Sequence, residues 1–227
     1  MNNHKINLGK NLSSKTEEDS LGLIIRRASH NPSQKHTGFV FLDNEHGKPM
    51  IAHLADRYKL EKGRLRGYGV LWLSFISERN AALITTELRM LGMKEADMLN
   101  GIINIGGTKF SGGVAIPNSS VEGDSLTCAT FILCMLEQFG FNIIDRNSWK
   151  ITDEDTQWQD GMVKILEPYL MVKLPEHYAL QMASVGKVAR IRPEQMVGAC
   201  GIFDYVPVQY KDACEAGKIV LEKLDKL

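Results

Sequence analysis

Apolar and polar positions follow two different periods along this chain, and the change of period divides it into a strand-forming half and a helix-forming half. Leu21-Gly22-Leu23-Ile24-Ile25 is an apolar run of strand length, closed by the loop signal Asn31-Pro32-Ser33. Residues 37–42 (TGFVFL) are rich in β-formers and end at the turn cluster Asp43-Asn44-Glu45-His46-Gly47. A second apolar stretch, residues 49–55, follows directly, and two such runs around a short Asn/Gly loop predict a hairpin. Residues 68–76 predict a third strand. None of the runs approaches the roughly 18–20 residues of a membrane-spanning helix.

After residue 76 the period lengthens. Ser77 is a helix cap, and Ala81, Ala82, Ile84, Thr85, Leu88 and Leu91 repeat at helical spacing until Gly92. A glycine-rich stretch at 106–113 lacks the G-x-x-x-x-G-K-[ST] pattern of a phosphate loop and predicts a mobile loop at the rim of a cleft. A second helix is expected from about residue 125 to 139, closed by Gly140, with Phe131, Ile132, Met135, Leu136 and Phe139 on one stripe. In 145–182, Trp149, Trp158, Leu166 and Tyr169 mark a packed segment of ambiguous period. Residues 185–191 predict a strand, Pro193 opens a turn or helix, and 212–227 predict a terminal amphipathic helix. Strands first and helices afterwards define an α+β domain over 21–227, preceded by a polar, loosely attached tail at 1–20.

Composition narrows the function. The 227 residues are 44% hydrophobic and 24% charged, enough to bury one core without staples. Lys+Arg and Asp+Glu balance at 27 each, which gives no electrostatic basis for a nucleic-acid groove. The short basic spots, Arg26 with Arg27 and Arg64 with Arg66, are expected to be solvated faces. The first twenty residues lack the apolar centre of a secretory leader, so the expected location is the cytoplasm, or outside by a route without a cleaved signal. Cys128, Cys134, Cys200 and Cys214 show no C-x-x-C or zinc-ligand spacing, and no metal or other cofactor is implied.

One cysteine stands in a chemically favoured place. With Asp124 or Ser125 as N-cap, Cys128 falls in the first turn of its helix, where the helix dipole lowers a thiol pKa. His36 opens a strand next to Thr37-Gly38, and Gly38 leaves room for close approach. If the hairpin turns near Glu45, His53 lies beside His36 on the partner strand, to within about one residue of register. Nucleophile, base and a group orienting the base form a triad, in which His53 accepts from one nitrogen of His36 and an imidazolium beside the sulfur further favours thiolate. The contrary reading makes Cys128 a buried structural cysteine. His4, His30 and His46 read as exposed loop residues, His177 as a histidine that nothing requires, and Cys134 as packing.

The order His36-Thr37-Gly38-Phe39-Val40, then His53, then Ser125-Leu126-Thr127-Cys128-Ala129 resembles the circularly permuted papain-like hydrolases of the NlpC type. In that group, which includes the lecithin–retinol acyltransferase-like enzymes, the histidine strand precedes the cysteine helix. Ile191-Arg192-Pro193-Glu194-Gln195-Met196, running to Phe203, is similar to the proline-led turn after the core of many members. The resemblance implies an antiparallel sheet packed on a cysteine-bearing helix, with 77–123 as a long insertion. It makes Cys128 the nucleophile, His36 the base and His53 the orienting residue, and has the Cys128 N–H donate to the oxyanion. Two departures stand out: Thr127 before the cysteine, and the insertion itself.

The implied function is a thiol hydrolase of amide bonds, with peptides, bacterial cell-wall peptides in particular, as substrates. If the protein is a secreted effector of this kind, an immunity or delivery partner is expected. A second reading keeps the thioester but makes the protein an acyltransferase or lipid-directed hydrolase, with Phe110, Trp149 or Trp158 forming an apolar approach. A third is a binding module in which Cys128 and His36 are incidental.

Overall fold

The computed structural model describes residues 6–10, 20–28, 34–43, 47–55, 58–63, 65–93, 108–116 and 125–227. The strands are β1 (Leu8–Lys10), β2 (Leu21–Arg27), β3 (Lys35–Leu42), β4 (Pro49–Leu54), β5 (Tyr58–Lys62) and β6 (Gly69–Trp72), then β7 (Lys109–Ser111) and β8 (Val114–Ile116). The first six form one antiparallel sheet in the order β1-β6-β2-β3-β4-β5, and the last two form a separate hairpin. The helices are α1 (Glu78–Met93), α2 (Cys128–Gln138), α3 (Asp153–Lys173), α4 (Pro175–Ser184), α5 (Pro193–Ile202) and α6 (Tyr210–Leu224). The α+β class and the β3–β4 hairpin expected from the apolar pattern are both present.

Period-two alternation sorts the sheet into two buried faces. Leu21, Leu23, Ile25, Phe39, Phe41, Met50, Ala52, Leu54 and Leu71 enter the main core with the helices. Ile24, Val40, Ile51, Val70 and Trp72 point to the other face, where Leu65 and Tyr68 cover them. Helix α2 is apolar nearly all round because it is enclosed: it packs on β3 and β4 and against α5 and β7. Phe131 is its anchor, meeting Phe39, Tyr58 and Phe110 edge to face with ring centroids 5.7–5.8 Å apart.

Several elements differ from expectation for identifiable reasons. The 1–20 segment is not merely a tail, since Ile6 and Leu8 are buried and β1 adds an edge strand to β6. The strand β5 went unforeseen because Tyr58 and Leu60 are too short an alternation to stand out. The expected strand at 185–191 is a turn and an extended run: Val185 and Val188, three apart rather than two, pack on Val163 of α3. The ambiguous 145–182 region holds a 3₁₀ turn (Arg146–Ser148), α3 and α4. Its start is marked by Thr152, whose hydroxyl accepts from the Asp155 N–H at 3.1 Å. Of the glycine-rich 106–113 stretch, the described part is no rim loop. It forms β7 and the turn to β8, with Phe110 bonded through its backbone to the Gln138 side chain.

Helices α5 and α6 pack closely because Gly198 has no side chain. A Cβ there would stand 2.7 Å from the backbone of Ala216 and Gly217. Gly198→Ala should therefore lower unfolding free energy by about 1–3 kcal/mol, read by urea denaturation, as overpacking against backbone cannot relax through a rotamer change.

Candidate active site

Strand β3 builds the site through the same alternation. Phe39 and Phe41 go under α2, while His36, Gly38 and Val40 face the opposite side with Ile51 and His53 of β4. The pairing of Phe39 with Ala52 sets His53 across from Gly38, one diagonal step from His36. A Cβ at residue 38 would lie 2.6 Å from the His53 Cβ and 2.8 Å from the Ala52 carbonyl oxygen. The missing side chain at Gly38 is what lets His53 cross β3 and reach its partner. His36 Nε2 and His53 Nδ1 stand 2.6 Å apart, with the rings edge-on at 77°.

The chain of contacts continues one strand further. His53 Nε2 lies 2.8 Å from Glu61 Oε1 on β5. Hydrogen-bond chemistry assigns the protons: a carboxylate oxygen accepts, so His53 carries its proton on Nε2 and offers the lone pair of Nδ1. His36 then donates from Nε2, and its Nδ1 is left as an acceptor. Glu61, 58% exposed at its side chain, was not among the residues anticipated. The signal that marks it is its position: paired with Ile51, it falls on the same sheet face as His53.

Cys128 is the first residue of α2, and its N-cap is Thr127, not Asp124 or Ser125. Thr127 and Thr130 cap each other: the Thr127 N–H donates to Thr130 Oγ1 at 2.7 Å, and the Thr130 N–H to Thr127 Oγ1 at 3.2 Å. Ser125 is engaged elsewhere, accepting from Gln181 Nε2 at 3.0 Å, and Asp124 lies outside the described residues. Cys128 is half-buried, with the Thr37 N–H of β3 and the first-turn N–H groups of α2 among the groups that favour its thiolate.

The electrostatic state corrects the expectation of an acidified thiol. Burial pushes the Cys128 thiol pKa up, and this outweighs the lowering by the Thr37 N–H, the Arg190 guanidinium and the first-turn N–H groups. Burial likewise pulls His36 down to about 3, with the charges of His53, Arg26 and Lys59 adding to the effect. At neutral pH the pair is thiol and neutral imidazole rather than thiolate and imidazolium.

A cavity of about 340 Å³ wraps the start of β3 and brings together all three anticipated residues, Cys128, His36 and His53. Trp158, Met162 and Leu166, spaced four apart on α3, form one apolar wall, and Leu54, Ile191 and Pro193 continue it. Trp158 is therefore the one anticipated aromatic that lines it; Phe110 packs on Phe131 and Trp149 on Tyr210. Arg26 also corrects expectation: it lines the cavity and stacks on Tyr68 at 4.8 Å instead of forming a solvated face. Arg27 pairs with Asp225, and Arg64 lies outside the described residues. His177 is buried on α4 with no hydrogen-bond partner for Nε2 and does not line this cavity. Cys134 is core packing. His4, His30 and His46 lie outside the described residues. Among the described residues, no group of three or more His, Cys, Asp or Glu is placed to hold a metal ion, and no helix is long and apolar enough to cross a membrane. Compared with protein-family models, curated proteins and solved structures, the chain matches none.

Two outcomes follow from this geometry. Gly38→Ala should drive the imidazoles apart and expose His36, seen as a rise of the His36 pKa in NMR titration toward its ordinary value of about 6.5. His36 also makes stability acid-sensitive, because the unfolded chain takes up that proton near its ordinary pKa and the folded chain does not. Stability is complete above about pH 6.5 and falls progressively toward about pH 3. In urea denaturation, His36→Gln should lose less stability than the wild type between about pH 7 and pH 4.

Proposed function

We propose that this chain is a cysteine hydrolase of the permuted papain-like, NlpC type, cleaving an amide bond in a peptide through a thioester on Cys128. The observation that carries the reading is the hydrogen-bonded series Glu61, His53, His36 on three adjacent strands, ending at the cavity whose wall holds Cys128 at a helix N-terminus. Such a series fixes the tautomer of a histidine in the cavity that Cys128 also lines, which supports reading the two as base and nucleophile.

Starting from neutral partners, proton transfer accompanies attack. As Cys128 Sγ bonds to the substrate carbonyl carbon, the thiol proton passes to His36 Nδ1. The oxyanion is met by the Cys128 N–H at the free end of α2. The C–N bond then breaks, and His36 returns the proton to the leaving amine. Water attacks the thioester, giving its proton to His36, and the released thiol recovers it. His53 holds the tautomer of His36, and Glu61 holds His53. Cell-wall peptides are the substrates implied by the family resemblance.

A second reading, acyl transfer or hydrolysis on a lipid, has its own support. Beside Leu166, helix α3 exposes Ile165, Tyr169 and Val172, an apolar stripe next to the cavity wall. Separate assays on peptides and on acyl lipids, read by mass spectrometry of products, distinguish the two.

With a turnover assay in hand, Cys128→Ala and His36→Ala should each lower kcat by about a thousandfold or more while leaving the thermal melt close to wild type. His53→Ala should retain measurable turnover, and exposed Glu61→Gln should lose no more than about tenfold. Full activity in Cys128→Ala would overturn the mechanism.

A further inference from the structure

Arg190 and Arg192 stand two residues apart, yet the fold treats them differently. Arg192 is saturated: its Nε donates to Asp155 Oδ1 at 3.0 Å, and its terminal nitrogens bond Glu154. Arg190 has a single described hydrogen bond, from Nη1 to the same Asp155 oxygen at 3.5 Å, the long limit of such a contact. A guanidinium has five N–H donors, so most of those on Arg190 have no protein partner among the described residues. Its side chain is nonetheless only 12% exposed. No Arg190 nitrogen is among the fully buried unpartnered atoms, so its unused donors open onto a cavity where a ligand can meet them.

Arg190 is held at both ends. Its backbone carbonyl accepts from Trp149 Nε1 at 3.0 Å, and its guanidinium lies 3.5 Å from the centroid of the Trp158 ring. That stacking leaves the edge of the guanidinium, where the donors are, as the part able to bind. Arg190 lines the cavity that contains Cys128. Among the described residues this cavity is lined by Arg26, Lys35 and Arg190 and by no carboxylate. Asp155, Glu154 and Glu194 are not in its wall; Glu154 and Glu194 border a neighbouring cavity that Arg190 also lines. Burial lowers the Arg190 pKa to about 10, which leaves it charged at neutral pH.

We propose that Arg190 is a specificity-determining residue that binds a carboxylate of the substrate beside the scissile carbonyl, so that the substrate is an anionic acyl donor such as an acidic peptide. This deepens the reading of Cys128 as nucleophile and rests on it for the word substrate, while the anion site stands on its own geometry. A fork of N–H donors on a rigid aromatic platform suits a planar carboxylate in a two-bonded pairing. The apolar wall of Trp158, Met162 and Leu166 would cover the carbon chain between the charge and the reacting centre.

Two alkylating reagents of nearly equal size test this. Iodoacetate carries a carboxylate and iodoacetamide does not, and their rates at Cys128 are read by peptide mass mapping at about pH 7. Arg190→Met should lower the iodoacetate-to-iodoacetamide rate ratio about tenfold, and Arg190→Lys should retain part of it, because the charge stays but the fork is lost. A ratio unchanged in Arg190→Met overturns the proposal. Binding is tested separately in Cys128→Ser protein. There N-acetylglutamate should change tryptophan fluorescence saturably through Trp158, N-acetylglutamine should not, and Arg190→Met should abolish the response. Equal responses to the acid and the amide, or a response to methyl phosphate alone, also overturn the carboxylate assignment. If wild-type Cys128 resists both reagents while the Arg190-dependent carboxylate response is present, the nucleophile reading fails and the anion site stands.

Discussion

Strand β3 must satisfy two faces at once, and the rest of the molecule is arranged around that demand. Phe39 and Phe41 anchor the main core under α2, while His36 and Val40 belong to the opposite face. The side-chain period in a strand is two, so a one-residue slip would exchange aromatic anchors for imidazoles. Core packing therefore holds the site in register. Gly38 is the point where the demand is tightest, since only a residue without a side chain lets His53 pass over the strand to His36.

Burial, more than the helix dipole, decides the charge states of Cys128 and His36. The first turn of α2 and the Arg190 charge both favour the thiolate, yet loss of water around the thiol is the larger effect. The same loss of water keeps His36 neutral. On the proposed hydrolase reading, such a site would hold its proton until substrate enters.

Asp155 illustrates how one buried group shapes a surface far along the chain. It is 1% exposed, caps α3 with Thr152, and takes its closest arginine bond from Arg192. Having committed its oxygen there, it reaches Arg190 at the limit of bonding. The guanidinium of Arg190 is thus steered over Trp158 and into the cavity wall with most of its N–H donors unpaired among the described residues.

Local pattern carried much of the fold. The alternation in 37–42 and 49–55 around an Asn/Gly turn specifies a hairpin, and the apolar stripe ending at Gly140 specifies α2, because both depend on residues within a few positions of one another. The placing of His36, His53 and Cys128 in one cavity followed from those elements and their order. Other features depend on partners distant in sequence, and no local period encodes them. The edge strand β1 exists through pairing with β6. The segment 185–191, rich in β-branched residues, has Val163 of α3 to pack on and no ladder to join. Glu61 reads as one more solvated charge until β4 sets His53 beside it, and Arg190 reads like Arg192 until Asp155 divides them. The Cys128 pKa escapes the sequence for the same reason: the dipole of a helix is visible in its sequence, but the water removed from a thiol is set by everything that packs around it.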